Sequence, residues 1–282
     1  MLSIVGVANL APFSEEALRA ETSLTGQARL KLLRRRIVSS SCKADQVIAL
    51  SQTCREILIK EGVASSKIHV IPNGVEPVPP SAECELVLRQ LRQKYVIPAR
   101  FMLYVSHFYP YKNFERLIQA YALLDPSITV PLILVGLPHD FRYFSLVKKE
   151  IKRLNLDSRI FVIPGLDAGH LSALYRASTL FVYPSLIENS PNILLEAMAH
   201  GCPVLAGDNQ PMPEFGADAI EYFDALSVPS IAAAIQACLG NPDRMEEMRR
   251  LGPLRASRYS WDDFTRRVVA LYVTHEKLGK QI

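Results

Sequence analysis

No apolar run in the 282 residues approaches the roughly 20 residues of a membrane span. The first residues, MLSIVGVANLAPFSEE, lack a basic segment and a long apolar stretch, so a secretory leader is not expected. The five cysteines are odd in number, widely spaced and without a CxxC pair, which excludes a disulfide framework or a zinc-ribbon site. They read as small buried thiols in a reducing compartment. The six histidines form no HxH or HxxxH pair, so no metal centre is expected. Neither GxGxxG nor GxxxxGK[ST] occurs, which disfavours an ordinary dinucleotide fold or P-loop. A large excess of one charge sign is also lacking. A formal balance of +4, without aromatic–basic interleaving, argues against a nucleic-acid partner.

What is present is core-forming. The chain is 49% hydrophobic and 21% charged, which leaves little room for disorder. Short β-branched or aromatic runs fall at 3–10, 47–51, 68–71, 101–108, 132–137, 160–164, 179–184, 203–206 and 220–223. Several are apolar throughout, such as LILVG and TLFVYP, as suits a parallel sheet covered on both faces. Helical patterns alternate with them. Phe114, Leu117, Ile118, Tyr121 and Ala122 recur at helical spacing, with Asn113 placed to cap. The strand–helix alternation predicts an α/β, doubly wound fold. VEPVPP, at 75–80, interrupts it, because proline fixes φ and lacks a donor. The expected division is a first domain with its linker over 1–97, a second domain over 98–258, and a terminal helix over 259–282. Residues 1–97 hold too few strands for a whole parallel domain. The first domain is therefore expected to be incomplete, as a fragment or as a half completed by a partner.

The sharpest local pattern is PSLIENSPNILLEAMAHG, at 184–201. It reads as strand end, loop and helix, with Ser190 as N-cap and Pro191 as first helical residue. The amides of Asn192 and Ile193 then form an anion seat at a helix start. Glu188 stands in the loop and Glu196 in the second helical turn. A carboxylate amid Ile193, Leu194, Leu195 and Met198 must find donors or reach water. Sugar hydroxyls would serve; a solvent-facing Glu196 and a Glu188 that merely favours the helix start explain the spacing as well. Lys112 precedes another helix start, where a cation is disfavoured unless an anion lies between. His107 ends the preceding strand and is either a donor to that anion or inert. Gly136 and the Pro164-Gly165 pair end two strands, where a planar ligand can approach the backbone. Asp262 and Asp263 read as first-turn acids of a helix rather than metal ligands.

In these residues the chain resembles the family 4 nucleotide-sugar glycosyltransferases of the GT-B type. Glu188 and Glu196, with seven residues between, look like the family's E-x7-E motif. The blocks EAMAHGCPVLAGDNQPMPEFGADAIEYFD, SRIFVIPGLDAGHLSALYRASTLFVYPSLIE and ADQVIALSQTCREILIKEGVASSKIHVIPNGV resemble its further segments. The resemblance implies a GT-B-like fold of two Rossmann-like domains facing a cleft, the first incomplete here. It implies that Lys112 and His107 contact a diphosphate, Glu196 holds ribose hydroxyls and Glu188 sits by the transferred sugar. Asn189, Ser190, Asn192 and Ile193 would offer backbone donors, and Gly136, Pro164 and Gly165 would border the base. The terminal helix, from about Trp261, would cross back to the first domain. Where the family usually has glycine then arginine, this chain has Ser106 and His107, and a shorter, often neutral side chain stabilises a leaving diphosphate less.

The implied activity is a retaining, metal-independent glycosyltransferase. It would need no cofactor, with a nucleoside-diphosphate sugar as co-substrate and a glycan or lipid-linked acceptor. The alternative is a non-catalytic half-enzyme that binds the donor and needs a partner. The basic stretch ARLKLLRRRIV, with Lys31, Arg34, Arg35 and Arg36, would allow peripheral contact with an anionic membrane from the cytoplasmic side.

Overall fold

The computed structural model describes residues 2–21, 23–76, 78 and 81–279. Among the described residues, nine strands form two all-parallel sheets. The smaller runs in order β1 (Ile4–Val7), β2 (Gln46–Ala49), β3 (Ile68–Val70). The larger contains β4 (Met102–Val105), β5 (Leu132–Val135), β6 (Ile160–Ile163), β7 (Leu180–Tyr183), β8 (Val204–Gly207) and β9 (Glu221–Phe223). Each of the nine runs expected from sequence overlaps one strand, with β2 starting and β8 ending one residue outside its run. The larger sheet has spatial order β6-β5-β4-β7-β8-β9. Strand order therefore reverses between β4 and β7, and such a switch point opens a crevice at the C-terminal strand ends.

The helices are α1 (Glu15–Ala20), α2 (Leu24–Lys43), α3 (Gln52–Lys60), α4 (Ser81–Tyr95), α5 (Phe114–Ala122), α6 (Phe141–Arg153), α7 (Ala168–Ala177), α8 (Asn192–Ala199), α9 (Met212–Gly216), α10 (Val228–Leu239), α11 (Pro242–Ala256) and α12 (Trp261–Gly279). Strands β4, β5, β7 and β8 are buried at every position, as helices on both faces require. Helix α8 buries Leu194, Leu195 and Met198 completely. At about 1.5–3 kcal/mol for each such side chain, this apolar face anchors the glutamate-bearing segment to the core.

The two sheets have separate cores. Helix α4, on the first-domain side of the boundary expected at residue 97, contributes Cys84 and Leu91 to the larger core. Pro77, Pro79 and Pro80 of the VEPVPP segment lie outside the described residues. The chain crosses between the sheets twice, and the crossings touch. The amide of Val75 donates to Tyr259 O at 3.1 Å, and a Cβ on Gly74 would lie 2.1 Å from the Trp261 nitrogen. Helix α12 then reaches the small sheet, where Arg267 donates to Val70 O at 2.5 Å. Asp262 and Asp263 occupy its first turn. The four non-disulfide thiols other than exposed Cys42 are buried.

Candidate active site

The loops that follow β4 and β7 flank the switch point and carry Lys112 and Glu188. Leu186 N donates to Tyr111 O at 2.9 Å, which ties one loop to the other. Asn113 adopts a left-handed conformation, φ 62°, and does not cap α5. Its Nδ2 donates instead to Pro184 O at 3.0 Å and Ala225 O at 2.8 Å, so it joins the ends of three strands. The capping expected of it is replaced by this buried cross-link, which satisfies two strand-end carbonyls at once.

Lys112 Nζ meets Glu188 Oε1 at 2.5 Å, with both side chains largely buried. Two tyrosines from the adjacent central strands support the pair. Tyr183 Oη donates to the same Oε1 at 2.7 Å, and Tyr104 Oη donates to Lys112 O at 2.7 Å. Their rings meet edge-on, 6.0 Å apart. Burial, then the charge of Glu188, pushes both phenols well above their ordinary value. They therefore remain protonated donors. Lys112 and Glu188 line a cavity of about 250 Å³ with Asn9, Ala11, Tyr111 and Asn189, drawn from both lobes.

Glu196 lies on α8 and is not a wall of that cavity. Tyr175 Oη donates to its Oε2 at 3.1 Å. Burial raises the carboxyl's pKa and nearby Glu76 adds to this, while the Tyr175 bond opposes it. Each glutamate of the pair thus rests on a buried tyrosine. Phe181 lies between those tyrosines, 5.6 Å from the Tyr175 ring and 5.8 Å from that of Tyr183.

The loop between the glutamates differs from its expected form. Helix α8 starts at Asn192 behind Pro191, with no side-chain cap. Ser190 is therefore not the N-cap, and its Oγ is buried with no partner among the described residues. The Asn192 amide donates to Ser190 O at 2.8 Å, which removes it from the expected anion seat. The helix start leaves the Ile193 amide without an intrahelical acceptor. Asn189 faces the small sheet: its Nδ2 donates to Val7 O at 2.6 Å, and its Oδ1 accepts from Ser51 at 3.2 Å. Asn192 Oδ1 accepts from Asn73 at 3.4 Å.

His107 is exposed, with its ring 4.4 Å from that of His139. Burial of part of the ring, then His139 and Lys112, lowers its pKa, so it is neutral at pH 7. Its Nδ1 accepts from Leu137 N at 3.4 Å. Gly136 ends β5 where a Cβ would lie 1.8 Å from Ser106 O. Its small size serves a backbone contact there, so that side is closed to a ligand. The corresponding space at Gly165 holds the Leu137 side chain, 2.7 Å from a notional Cβ. Pro164 and Gly165 are exposed at the end of β6. The residues that sequence reasoning missed are Tyr104, Tyr175 and Tyr183. For Tyr104 and Tyr183 the signal was a phenol inside a strand buried on both faces, where a hydroxyl needs a partner; Tyr175, on the part-exposed helix α7, gave none.

Residues 89–254 match the model of glycosyl transferases group 1, and residues 14–78 match that of glycosyltransferase family 4. The chain belongs to the glycosyl transferases group 1 family. Among family relatives, it is 28% identical over 255 residues to O-antigen chain mannosyltransferase B of Escherichia coli. That alignment covers 86% of this chain and 64% of the relative. It is 26% identical over 247 residues to the alpha-maltose-1-phosphate synthase of Mycolicibacterium smegmatis, covering 81% and 63%. The chain thus spans less than two thirds of either relative. The crystal structure of Anabaena HepE with UDP and glucose matches with a TM-score of 0.78 at 21% identity, covering 96% of this chain and 71% of that one. This likeness establishes the GT-B fold. Among the described residues there is no group of three or more His, Cys, Asp or Glu side chains placed to hold a metal ion, and no helix long and apolar enough to cross a membrane.

Proposed function

We propose that the chain transfers a sugar from a nucleoside diphosphate to an acceptor hydroxyl, with retention of anomeric configuration and without a metal. The observation that carries this reading is the Lys112–Glu188 pair at the switch point. Without a donor, Glu188 neutralises Lys112. With a donor bound, Lys112 exchanges the carboxylate for the diphosphate, and Glu188 is released toward the sugar. The bond from C1 to the β-phosphate oxygen breaks while the acceptor oxygen bonds C1 on the same face. The acceptor's proton passes to the departing phosphate. Lys112 and the free Ile193 amide at the start of α8 stabilise the charge that develops there by preorganised electrostatics. Glu188 steadies positive charge on the ring, and Glu196 receives the ribose hydroxyls. His107 donates from the rim, and the end of β6 borders the base.

Family membership and the activities of the two relatives support the sugar transfer itself. The acceptor is a glycan or a lipid-linked intermediate at the cytoplasmic membrane face. Lys31 and Arg35 remain free to meet anionic lipid, whereas Arg34 pairs with Glu61 at 2.5 Å and Arg36 lines a groove.

Calorimetric titration of the chain with UDP, GDP and ADP and their sugars tests donor binding. Lys112→Ala and Glu196→Ala are expected to weaken nucleotide binding by at least tenfold, and Glu188→Ala to lower turnover with little change in affinity. Unchanged nucleotide affinity in the first two variants overturns the assignment. Donor hydrolysis and transfer by the purified chain separate an enzyme from a donor-binding half.

A further inference from the structure

A groove of about 400 Å³ adjoins the Lys112–Glu188 cavity and shares Asn9, Ala11 and Tyr111 with it. One wall is helix α2, which presents Arg29, Leu33 and Arg36. The other is the loop after β4, which presents Tyr109 and Tyr111. Arg29 and Arg36 are seven positions apart, about 10 Å along the axis and on one helix face. No carboxylate lines the groove, and α2 carries no acid along its length. Among the described residues neither guanidinium forms an ion pair, in contrast to Arg34 of the same helix. Two like charges beside one cleft, partly walled by rings and leucines, create a positive potential that only an incoming anion can neutralise.

The opposite wall suits a sugar. The rings of Tyr109 and Tyr111 are near parallel, 11° apart with centroids at 5.5 Å. They offer apolar surface and phenol hydroxyls together. Burial raises the Tyr111 phenol, with Glu188 adding, so it stays a donor at any physiological pH. Lys112 Nζ stands 5.3 Å from the Tyr111 ring, so the wall runs without interruption into the reacting centre.

From this juxtaposition we infer that the groove receives a phosphate-bearing sugar acceptor, with Arg29 and Arg36 holding the phosphate and the tyrosine wall directing a hydroxyl toward Glu188. The inference rests on the glycosyltransferase reading above for the orientation of the acceptor, but not for the existence of the anion site. Recognition by a guanidinium fork favours phosphate oxygens. The phosphate chemistry is shared by the diphosphate of the lipid-linked acceptor proposed above and by a soluble hexose phosphate that would take its place, and the titrations distinguish the two.

The test is calorimetric titration of the full chain, with and without saturating UDP. The probes are glucose 1-phosphate, glucose 6-phosphate, mannose 6-phosphate and a farnesyl-diphosphate-linked N-acetylglucosamine, with free glucose as control. At least one phosphorylated probe is expected to bind, and free glucose to bind at least tenfold more weakly. R29Q/R36Q is expected to weaken that probe by tenfold or more while UDP affinity and Tm stay unchanged, and R34Q to leave the probe unaffected. Binding of the farnesyl-linked probe alone assigns a lipid-linked acceptor; binding of a hexose phosphate assigns a soluble one. Failure of every phosphorylated probe to bind, or equal binding to R29Q/R36Q, overturns the inference. Loss of UDP binding in the native chain would instead count against the proposed function, and the titrations without UDP would still judge the groove.

Discussion

Tyr183 and Lys112 converge on a single oxygen. Glu188 Oε1 accepts from the phenol at 2.7 Å and from the ammonium at 2.5 Å. The phenol comes from the end of a strand whose side chains are buried, so its position is fixed by packing. The lysine comes from a loop and reaches the same point from the opposite side of the switch. Without a donor the carboxylate is held from both sides; in the proposed mechanism Tyr183 alone keeps it oriented once Lys112 turns to the diphosphate.

Removing that phenol tests the orientation. Tyr183→Phe keeps the ring and its packing but deletes a hydrogen bond to a charged group, worth about 1.5–3 kcal/mol. The expected result is a Tm lowered by several degrees and a reduced kcat with little change in donor affinity, since Lys112 remains. Thermal denaturation and steady-state kinetics check this. A variant with native kcat would show that the phenol does not set the carboxylate during turnover.

The close approach at Gly136 gives a second prediction. Its notional Cβ falls 1.8 Å from Ser106 O, which is backbone and cannot swing aside. Gly136→Ala must part the ends of β4 and β5. Overpacking of this kind costs about 1–3 kcal/mol or more, and the chain end that moves leads into the His107–Lys112 loop. Lower Tm together with weaker nucleotide binding is expected. Native stability would show that the strand ends separate freely.

Much of the fold was legible in the sequence. Nine apolar runs marked nine strands because a sheet covered on both faces admits few polar side chains. Lys112 and Glu188 stood out because each occupies a helix entrance where charge matters. The supporting tyrosines did not stand out: inside MLYV and LFVY, a tyrosine reads as core until the partner of its hydroxyl is visible. Asn113 and Ser190 read as caps because local spacing suggests it. Tertiary partners decided otherwise for Asn113, which engages Pro184 O and Ala225 O, while at Ser190 the helix simply begins later, behind Pro191. Asn189 could not be placed from sequence, because its partners, Val7 and Ser51, lie 182 and 138 residues away.

The raised pKa of Glu196 makes stability depend on pH with a definite sign. Burial is the main cause, and Glu76 acts in the same direction. The folded state therefore holds the proton more tightly than the unfolded chain does. The resulting stabilisation is complete below the usual carboxylate pKa and is lost as pH rises through the raised folded value. Glu196→Gln removes this dependence while keeping an oxygen for Tyr175. Its Tm relative to native is expected to be higher at pH 7.5 than at pH 4. Parallel melting curves across that range would refute the burial argument.

Contact between the lobes depends in part on a carboxylate that caps a helix it does not belong to. Glu214, on α9 of the larger lobe, accepts from Gln52 N at 2.6 Å and from Thr53 N at 3.3 Å, at the start of α3 in the smaller. These amides have no intrahelical acceptor, and the negative charge also complements the helix dipole. The next amide, Cys54 N, is held by Ser51 Oγ at 3.0 Å and does not need Glu214. Loss of such a cap costs about 1 kcal/mol. Hydrogen exchange at Gln52 and Thr53 in Glu214→Ala should therefore quicken roughly fivefold, because 1.4 kcal/mol corresponds to about tenfold. Cys54 should exchange at its native rate, since its own partner is untouched. Equal acceleration at all three amides would mean that α3 as a whole loosens and that Glu214 acts as an interlobe support rather than a cap. No change at Gln52 and Thr53 would show that the lobes part readily enough for water to take the carboxylate's place.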